Sequence, residues 1–98
     1  MSQSFANSPD ARFSVREDLV VEEVDDEYLV LDLRGNEYFG LNEVARLIWE
    51  AIDEGASFGG VVNRICVRFD VGREQAAEDA AAFIEQTIDA GLVERVES

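Results

Sequence analysis

The side chains best able to do chemistry are few in this chain, and none has the neighbours that catalysis needs. Among its 98 residues there is no histidine, so the most common general base and metal ligand is absent. The one cysteine, Cys66, lies on the apolar stripe of a predicted helix, where we expect an inert core thiol. No serine or cysteine has a candidate base. The sequence therefore predicts a protein that is not an enzyme.

An acidic run at residues 22–27 is the other candidate for a chemical site. Its sequence, EEVDDE, lacks the alternating oxygen ligands and the central glycine of a calcium loop. The pair Gly59-Gly60 is not followed by the lysine and the serine or threonine of a phosphate-binding loop. We interpret the acidic run as a solvated turn between strands, and we predict no metal and no cofactor.

Composition narrows the range of partners. Eight arginines stand against 22 acidic residues, which gives a net charge of −14. Most of such a surface repels phosphate-rich partners and anionic membranes, so we expect neither nucleic acid nor membrane binding. A single cysteine excludes an internal disulfide and fits a reducing compartment. With no apolar run of transmembrane length or signal-peptide type, the expected location is the cytoplasm.

The first half of the sequence predicts a three-stranded antiparallel meander. The strands are expected within residues 15–24, at 28–34 and at 37–41. The second strand alternates, and its expected half-buried face consists of Leu29, Leu31 and Leu33. Gly35-Asn36 predicts a two-residue hairpin turn, with Arg34 facing Glu37 across it. The third strand is expected to lie at the edge of the sheet, where its outer backbone groups have no partner.

Three helices are predicted after the meander. The first is capped by Asn42 and ends near Gly55, the second is capped by Ser57, and the third covers residues 73–90. The fold class is therefore α+β, a three-stranded antiparallel β-meander followed by three helices in winged helix-turn-helix-like order. Residues 1–13 are expected to be a flexible tail and residues 14–98 the domain.

The third predicted helix has an apolar sector wider than a one-sided surface helix needs. Its first half is rich in alanine, which fits either tight core packing or one flank lining a groove; the pattern leaves both open. The order of elements also fits DNA-binding proteins. However, this helix carries one arginine against five acidic residues, and such a helix would repel a duplex.

Several short motifs, in a fixed order, resemble the PqqD family and, more broadly, the domains that recognise precursor peptides in pathways of ribosomally made, modified peptides. The small B1 proteins of lasso-peptide pathways share the layout. The motifs are Leu31-Asp32, the YFGLN stretch at residues 38–42, Ala45, Ile48-Trp49-Glu50, Val62, Ile65, Phe69-Asp70-Val71, Asp79, Phe83-Ile84, Ile88 and Gly91-Leu92.

The resemblance implies that the leader segment of a precursor adds as a strand along the third strand and lies against the third helix. It implies a strand wall of Glu37, Tyr38, Phe39 and Gly40. The implied helix wall consists of Ala76, Ala80, Phe83 and Thr87, with Asp79 at its rim. The acidic groups would favour a leader that carries lysine or arginine.

The implied function is that of a non-catalytic, leader-binding adaptor, a monomer or weak dimer. It would present the precursor to a maturation enzyme, either the leader peptidase of a lasso-type pathway or a radical S-adenosylmethionine enzyme. Two other functions remain open from the sequence. They are a transcriptional regulator of winged-helix type and a structural module whose edge strand pairs with a second copy.

Overall fold

The computed structural model describes residues 9–96. It confirms an α+β fold in which a three-stranded antiparallel sheet precedes three helices, in the winged helix-turn-helix-like order that the sequence predicts. The elements are β1 (Arg12–Val15), β2 (Val20–Val24), β3 (Glu27–Asp32), β4 (Glu37–Leu41), α1 (Glu43–Asp53), α2 (Phe58–Phe69), α3 (Arg73–Asp89) and β5 (Val93–Val96).

The strands β2, β3 and β4 form the meander, in that order across the sheet. Its inner face, which packs on the helices, contains Val30, whose exposure is 0%, and Asp32. Leu29 and Leu31 lie on the outer face, and Leu33 is 69% exposed in the following loop. The prediction that the leucines form the buried face is therefore wrong. The leucine pattern predicted the wrong face, because hydrophobicity does not reveal that Asp32, on the opposite face, is buried.

The turn between β3 and β4 also differs from the prediction. Glu37 pairs with Asp32 rather than with Arg34, so the loop has four residues, 33–36. The Asp32 carboxylate accepts the backbone N–H of Gly35 at 3.0 Å. A Cβ on Gly35 would lie 2.9 Å from the other carboxylate oxygen, so the turn needs glycine there. The carboxylate of Asp32 thus organises a wider loop than a two-residue hairpin.

A second sheet pairs β1 with β5 in antiparallel register, from Arg12 opposite Val96 to Val15 opposite Val93. The side chain of Phe13 is almost fully buried in the core. A tail was predicted at residues 1–13, and this prediction is wrong at its C-terminal end because residues 12 and 13 belong to β1. Residues 1–8 lie outside the described part. The strand predicted within residues 15–24 begins only at Val20.

The helices have the predicted bounds and caps. The Asn42 side chain accepts the backbone N–H of Ala45 at 2.8 Å, and Ser57 Oγ accepts that of Gly60 at 3.2 Å. Beyond the C-terminus of α3, Gly91 has φ of +78°, which glycine adopts without strain. The helices enclose the core against the inner face of the meander. Cys66 is half-buried against that core.

Candidate functional site

The strand β4 lies at one edge of the meander and pairs only with β3. Between residues 9 and 96, no backbone hydrogen bond outside the helices and strand pairs involves Glu37–Leu41. The N-terminal strand β1, which could have covered this edge, pairs with β5 instead. Among residues 9–96, the outer backbone groups of β4 therefore have no backbone partner and can pair with another chain.

A cleft of about 280 Å³ runs beside this edge, between β4 and the C-terminal half of α3. Its strand side is formed by Phe39, Gly40 and Leu41. Its helix side is formed by four residues of one helical stripe, Phe83, Gln86, Thr87 and Ala90. We call it the β4–α3 cleft. A peptide paired with β4 would lie with one row of its side chains over this cleft.

Two nearly buried side chains, Trp49 of α1 and Leu92 before β5, complete the lining of the cleft. Trp49 is 2% exposed, so it packs in the core and reaches the cleft with only a small part of its surface. Its position makes it sensitive to whatever fills the cleft. Because it is the only tryptophan of the chain, its fluorescence reports on this one place.

The structure brings together four of the residues that the resemblance implies, Phe39 and Gly40 from the strand and Phe83 and Thr87 from the helix. The side chain of Tyr38 points to the outer face and is 71% exposed. Glu37 is also exposed, at the end of β4 next to the loop. Tyr38 and Glu37 therefore lie on the same strand as the cleft but outside it.

The other implied residues, on α3, are not in the cleft. Ala76 and Ala80 are 0% exposed and belong to the core, where their small side chains let α3 pack closely on its neighbours. The wall is instead the C-terminal half of the helix. Asp79 is half-buried one turn before Phe83, and its carboxylate accepts a hydrogen bond from the Gln75 amide. It continues the wall toward the N-terminus of α3.

Sequence reasoning missed several lining residues that simple periodicity could have found. Leu41 shares a strand face with Phe39, two residues away. Gln86 and Ala90 follow Phe83 at three and seven residues, on the same helical stripe. Trp49 and Leu92 gave no such signal, because both belong to the core and meet the cleft only through tertiary packing.

The polar groups of the cleft are few. The Thr87 hydroxyl donates to the carbonyl oxygen of Ile84 at 2.7 Å, so its proton is already committed. Gln86 is exposed and is the amide on the helix wall. None of the residues that line the cleft is charged, and α3, which forms one side, carries five acidic residues and one arginine along its whole length. The cleft therefore suits apolar side chains in the middle and cationic ones at its rim.

An ion-pair network fixes the end of the meander from which β4 begins. Arg16 contacts Asp18 at 2.6 Å and Asp32 at 2.5 Å, and it donates to the carbonyl oxygen of Gly91 at 3.0 Å. The Gly35 N–H and then Arg16 hold the pKa of Asp32 below its ordinary value. The hydrogen bond from Arg16 likewise lowers the pKa of Asp18. This network joins the β3–β4 turn to the C-terminal end of α3, and so both sides of the cleft.

Two larger depressions each contain an arginine that is held in the protein's own ion pairs. One, of about 550 Å³, contains Arg16, which the network above holds. The other, of about 390 Å³, contains Arg46, which pairs with Glu23 and lies 4.5 Å from the centre of the Tyr28 ring. The first is lined by residues of β1 and β5, and the second by residues of α1 and by Arg68 of α2. The smaller, mostly apolar β4–α3 cleft is therefore the better candidate.

Other classes of site were sought in the same residues. Within residues 9–96, no group of three or more histidine, cysteine, aspartate or glutamate side chains could hold a metal ion. In that same range, no helix has the length and hydropathy to cross a bilayer. What the described residues do offer is the strand edge and its cleft.

Comparison with known proteins gives a family and two solved structures. The family described as coenzyme PQQ synthesis protein D (PqqD) matches residues 27–93. TbiB1, solved in complex with the TbiA(beta) leader peptide, is 28% identical, with a TM-score of 0.77 over 87% of this chain and 99% of that chain. A lasso peptide synthetase B1, complexed with the leader peptide, is 30% identical, with a TM-score of 0.78 over 86% and 99%. No curated protein matches by sequence.

Proposed function

The chain belongs to the PqqD family, and from that premise we propose that it is a non-catalytic adaptor that binds the leader segment of a ribosomally made precursor peptide. The leader adds as a strand to the open edge of β4 and covers the β4–α3 cleft. The adaptor then presents the rest of the precursor to a maturation enzyme. The two similar structures support this proposal, since both were solved with a leader peptide.

One observation carries the proposal, namely that the open edge and the apolar cleft lie side by side. An edge strand alone offers hydrogen bonds to any extended chain, which is an aggregation hazard. With a cleft beside it, alternate side chains of a bound strand enter a defined apolar space, while the backbone bonds supply affinity. The described strand β1 does not compete for this edge.

The charge of the protein favours a particular kind of leader. With a net charge of −14, and with Glu37 on β4 and Asp79 on α3, the two elements that form the cleft, a leader with lysine or arginine at its ends is attracted. Disordered segments lose conformational entropy when they bind, so a preformed strand edge lowers the cost only on the adaptor's side. Because attraction between these charges acts mainly on the rate of encounter, we expect salt to weaken binding mainly by slowing association.

For the enzyme that receives the precursor, the similar solved structures favour one candidate. A lasso peptide synthetase B1 resembles almost the whole described chain. We therefore propose a leader peptidase of a lasso-type pathway as the partner, acting in the reducing cytosol. A radical S-adenosylmethionine enzyme is the alternative, which the PqqD family match favours.

The test uses the fluorescence of Trp49. The leader segment of a lasso-type precursor peptide is titrated into the purified protein, and the emission of Trp49 is followed. A saturable change, with amide NMR shifts concentrated in β4 and the C-terminal half of α3, is the expected result. Unchanged fluorescence and unchanged NMR spectra at saturating peptide would overturn the proposal.

Two further experiments separate the rival functions. Duplex DNA is not expected to bind, because α3 carries five acidic residues against one arginine. Salt-sensitive duplex binding would instead indicate a regulator. Sedimentation with and without peptide tests self-pairing of β4, because a dimer that persists at saturating leader would indicate a structural module.

A further inference from the structure

The outer face of the meander, which we define by Val20, Leu29, Leu31 and Tyr38, carries these four large side chains beside Glu22, which lies opposite Leu29. Val20, Leu31 and Tyr38 lie opposite one another across the three strands. None of the four belongs to the core or packs against it. A half-solvated antiparallel sheet normally places polar side chains on this side. The apolar row extends to the open edge of β4, where Tyr38 is 71% exposed.

Gly40 leaves a gap in this face at the edge strand. It lies opposite Leu29. A Cβ built on it would be 3.8 Å from Leu29 Cδ2, which is ordinary van der Waals contact, and its φ is not positive. Neither crowding nor backbone conformation therefore requires glycine here, although glycine weakens a strand. The missing side chain leaves Leu29, which is half-buried, without a cross-strand side chain from β4.

A strand that pairs with β4 fills this gap from outside. Its side chains alternate, so one row enters the β4–α3 cleft and the other continues the outer face. The guest residue opposite Gly40 meets no side chain from β4 at that position. A large side chain there can lean across the glycine to reach Leu29, with the ring of Tyr38 diagonal to it. Large side chains cover strand glycines in this way in known sheets.

We propose that Leu29, Tyr38 and the gap at Gly40 form a second recognition surface, which takes one large apolar side chain of the leader strand on the outer face. This inference rests on the proposed function, because it needs a strand paired with β4. The leader is thus read from both sides of the extended sheet. Its signature is two apolar residues an odd number of positions apart, one for the cleft and one for the outer face.

The experiment selects phage-displayed random linear peptides on the full chain and on two variants. Gly40→Val fills the gap with a side chain that suits a strand, and Leu29→Ala removes the surface that the guest side chain would contact. Val24→Ala is the matched control, since Val24 is an exposed aliphatic residue of β2, away from β4. Circular dichroism and thermal unfolding verify that each variant is folded.

For the unaltered chain and the Val24→Ala control, we expect selected peptides to be enriched in apolar residues at both positions. For both Gly40→Val and Leu29→Ala, the enrichment at the outer-face position should disappear. For Leu29→Ala, whose side chain does not line the cleft, the enrichment at the cleft position should remain. In a synthetic selected peptide, alanine at the outer-face position should weaken binding about fivefold for the unaltered chain and much less for Gly40→Val.

The failures of the two proposals look different. Peptides enriched only at a cleft position, or an outer-face preference that survives Gly40→Val, would overturn the second surface and leave the adaptor function intact. Recovery of no binding peptide, or only of peptides that do not shift β4 amides, would overturn the adaptor function and the second surface with it.

Discussion

The meander has two edges, β2 and β4, and they differ in what lies next to them. All five residues of β2 are exposed, and two adjacent glutamates, Glu22 and Glu23, occupy its middle. In β4, Phe39 and Leu41 are half-buried and line a cleft against α3. Both strands pair with β3 alone. The same sheet therefore presents one charged edge in open solvent and one apolar edge beside a helix.

This difference separates an edge that is merely unpaired from one that can select a partner. Charged residues on an edge strand discourage pairing with another chain, and β2 has that character. The edge of β4 has fewer charges, a glycine, and space for side chains on the helix side. The comparison predicts that changes in β4 affect peptide binding and that equivalent changes in β2 do not.

The largest expected effect comes from proline in β4. Adjacent residues of a strand direct their N–H groups to opposite edges, so one of Tyr38→Pro and Phe39→Pro removes a donor toward the guest and the other removes one toward β3. The variant that loses the N–H toward the guest should weaken peptide binding at least about tenfold, while the sheet stays folded. Titration monitored by Trp49 fluorescence, together with thermal unfolding, identifies it.

Val21→Pro in β2 is the matched change at the other edge, with Val20→Pro covering the opposite N–H direction. Whichever of the two remains folded should bind the peptide with an unchanged dissociation constant. Equal losses from folded proline variants of both strands would mean that the guest does not distinguish the two edges.

The next effect in size tests the helix side of the cleft. Phe83→Ala removes the largest side chain of the helix wall, and we expect peptide binding to weaken about tenfold. Phe69→Ala is the control, because Phe69 is also a half-buried phenylalanine packed against the core but lies on α2, outside the cleft. Calorimetric titration of both variants compares them; similar losses from both would point to a general loss of packing.

The two turns of the meander differ in a way that acid should expose. In the β3–β4 turn, the pKa of Asp32 is lowered by the Gly35 N–H and then by Arg16. Its contribution to stability is complete above the ordinary pKa of 3.8 and is lost as the pH falls through the lower, folded value. We expect the unfolding temperature of the unaltered chain to fall more steeply below pH 3.8 than that of Asp32→Asn.

Asp26→Asn in the β2–β3 turn is the comparison for that experiment, since Asp26 is exposed and lies in the turn that no such network joins to α3. This variant should follow the acid profile of the unaltered chain. If the acid profile of Asp32→Asn were the same as those of the unaltered chain and of Asp26→Asn, this would contradict the stabilising role of the Asp32 network.

The smallest expected effect is electrostatic. Asp79→Asn removes one negative charge near the cleft, and for a leader with cationic ends we expect association to slow about twofold to threefold at low salt. Glu22→Gln in β2 removes the same charge at the other edge. Stopped-flow association rates at two salt concentrations should separate the variants only at the lower one. Equal slowing by both would indicate attraction by net charge rather than by the rim of the cleft.

The elements predicted best from the sequence are those whose pattern lies within one continuous stretch of the chain. The caps at Asn42 and Ser57 and the glycine after α3 mark the helices, and period two marks β3. The strands β1 and β5 have only four residues each and pair across almost the whole chain, so neither periodicity nor turn residues reveal them. Their pairing is a tertiary outcome.

The errors at the site have equally physical causes. The alternation in β3 is the same whichever face is buried, and the choice depends on Asp32 finding Arg16 and Gly35 inside the fold. On α3, alanines near a groove and alanines in a core give the same pattern. The structure separates them, because Ala76 and Ala80 are buried while Phe83 lines the cleft.

The pairing of Arg12 with Val96 has a consequence for how this fold can be combined with other proteins. Antiparallel neighbours in a sheet lie about 5 Å apart, so Arg12 and Val96, near the two ends of the described residues, are close together. A unit of this kind can be inserted into a surface loop of a larger protein without pulling its host apart. A unit inserted in this way would keep its β4–α3 cleft within the host protein.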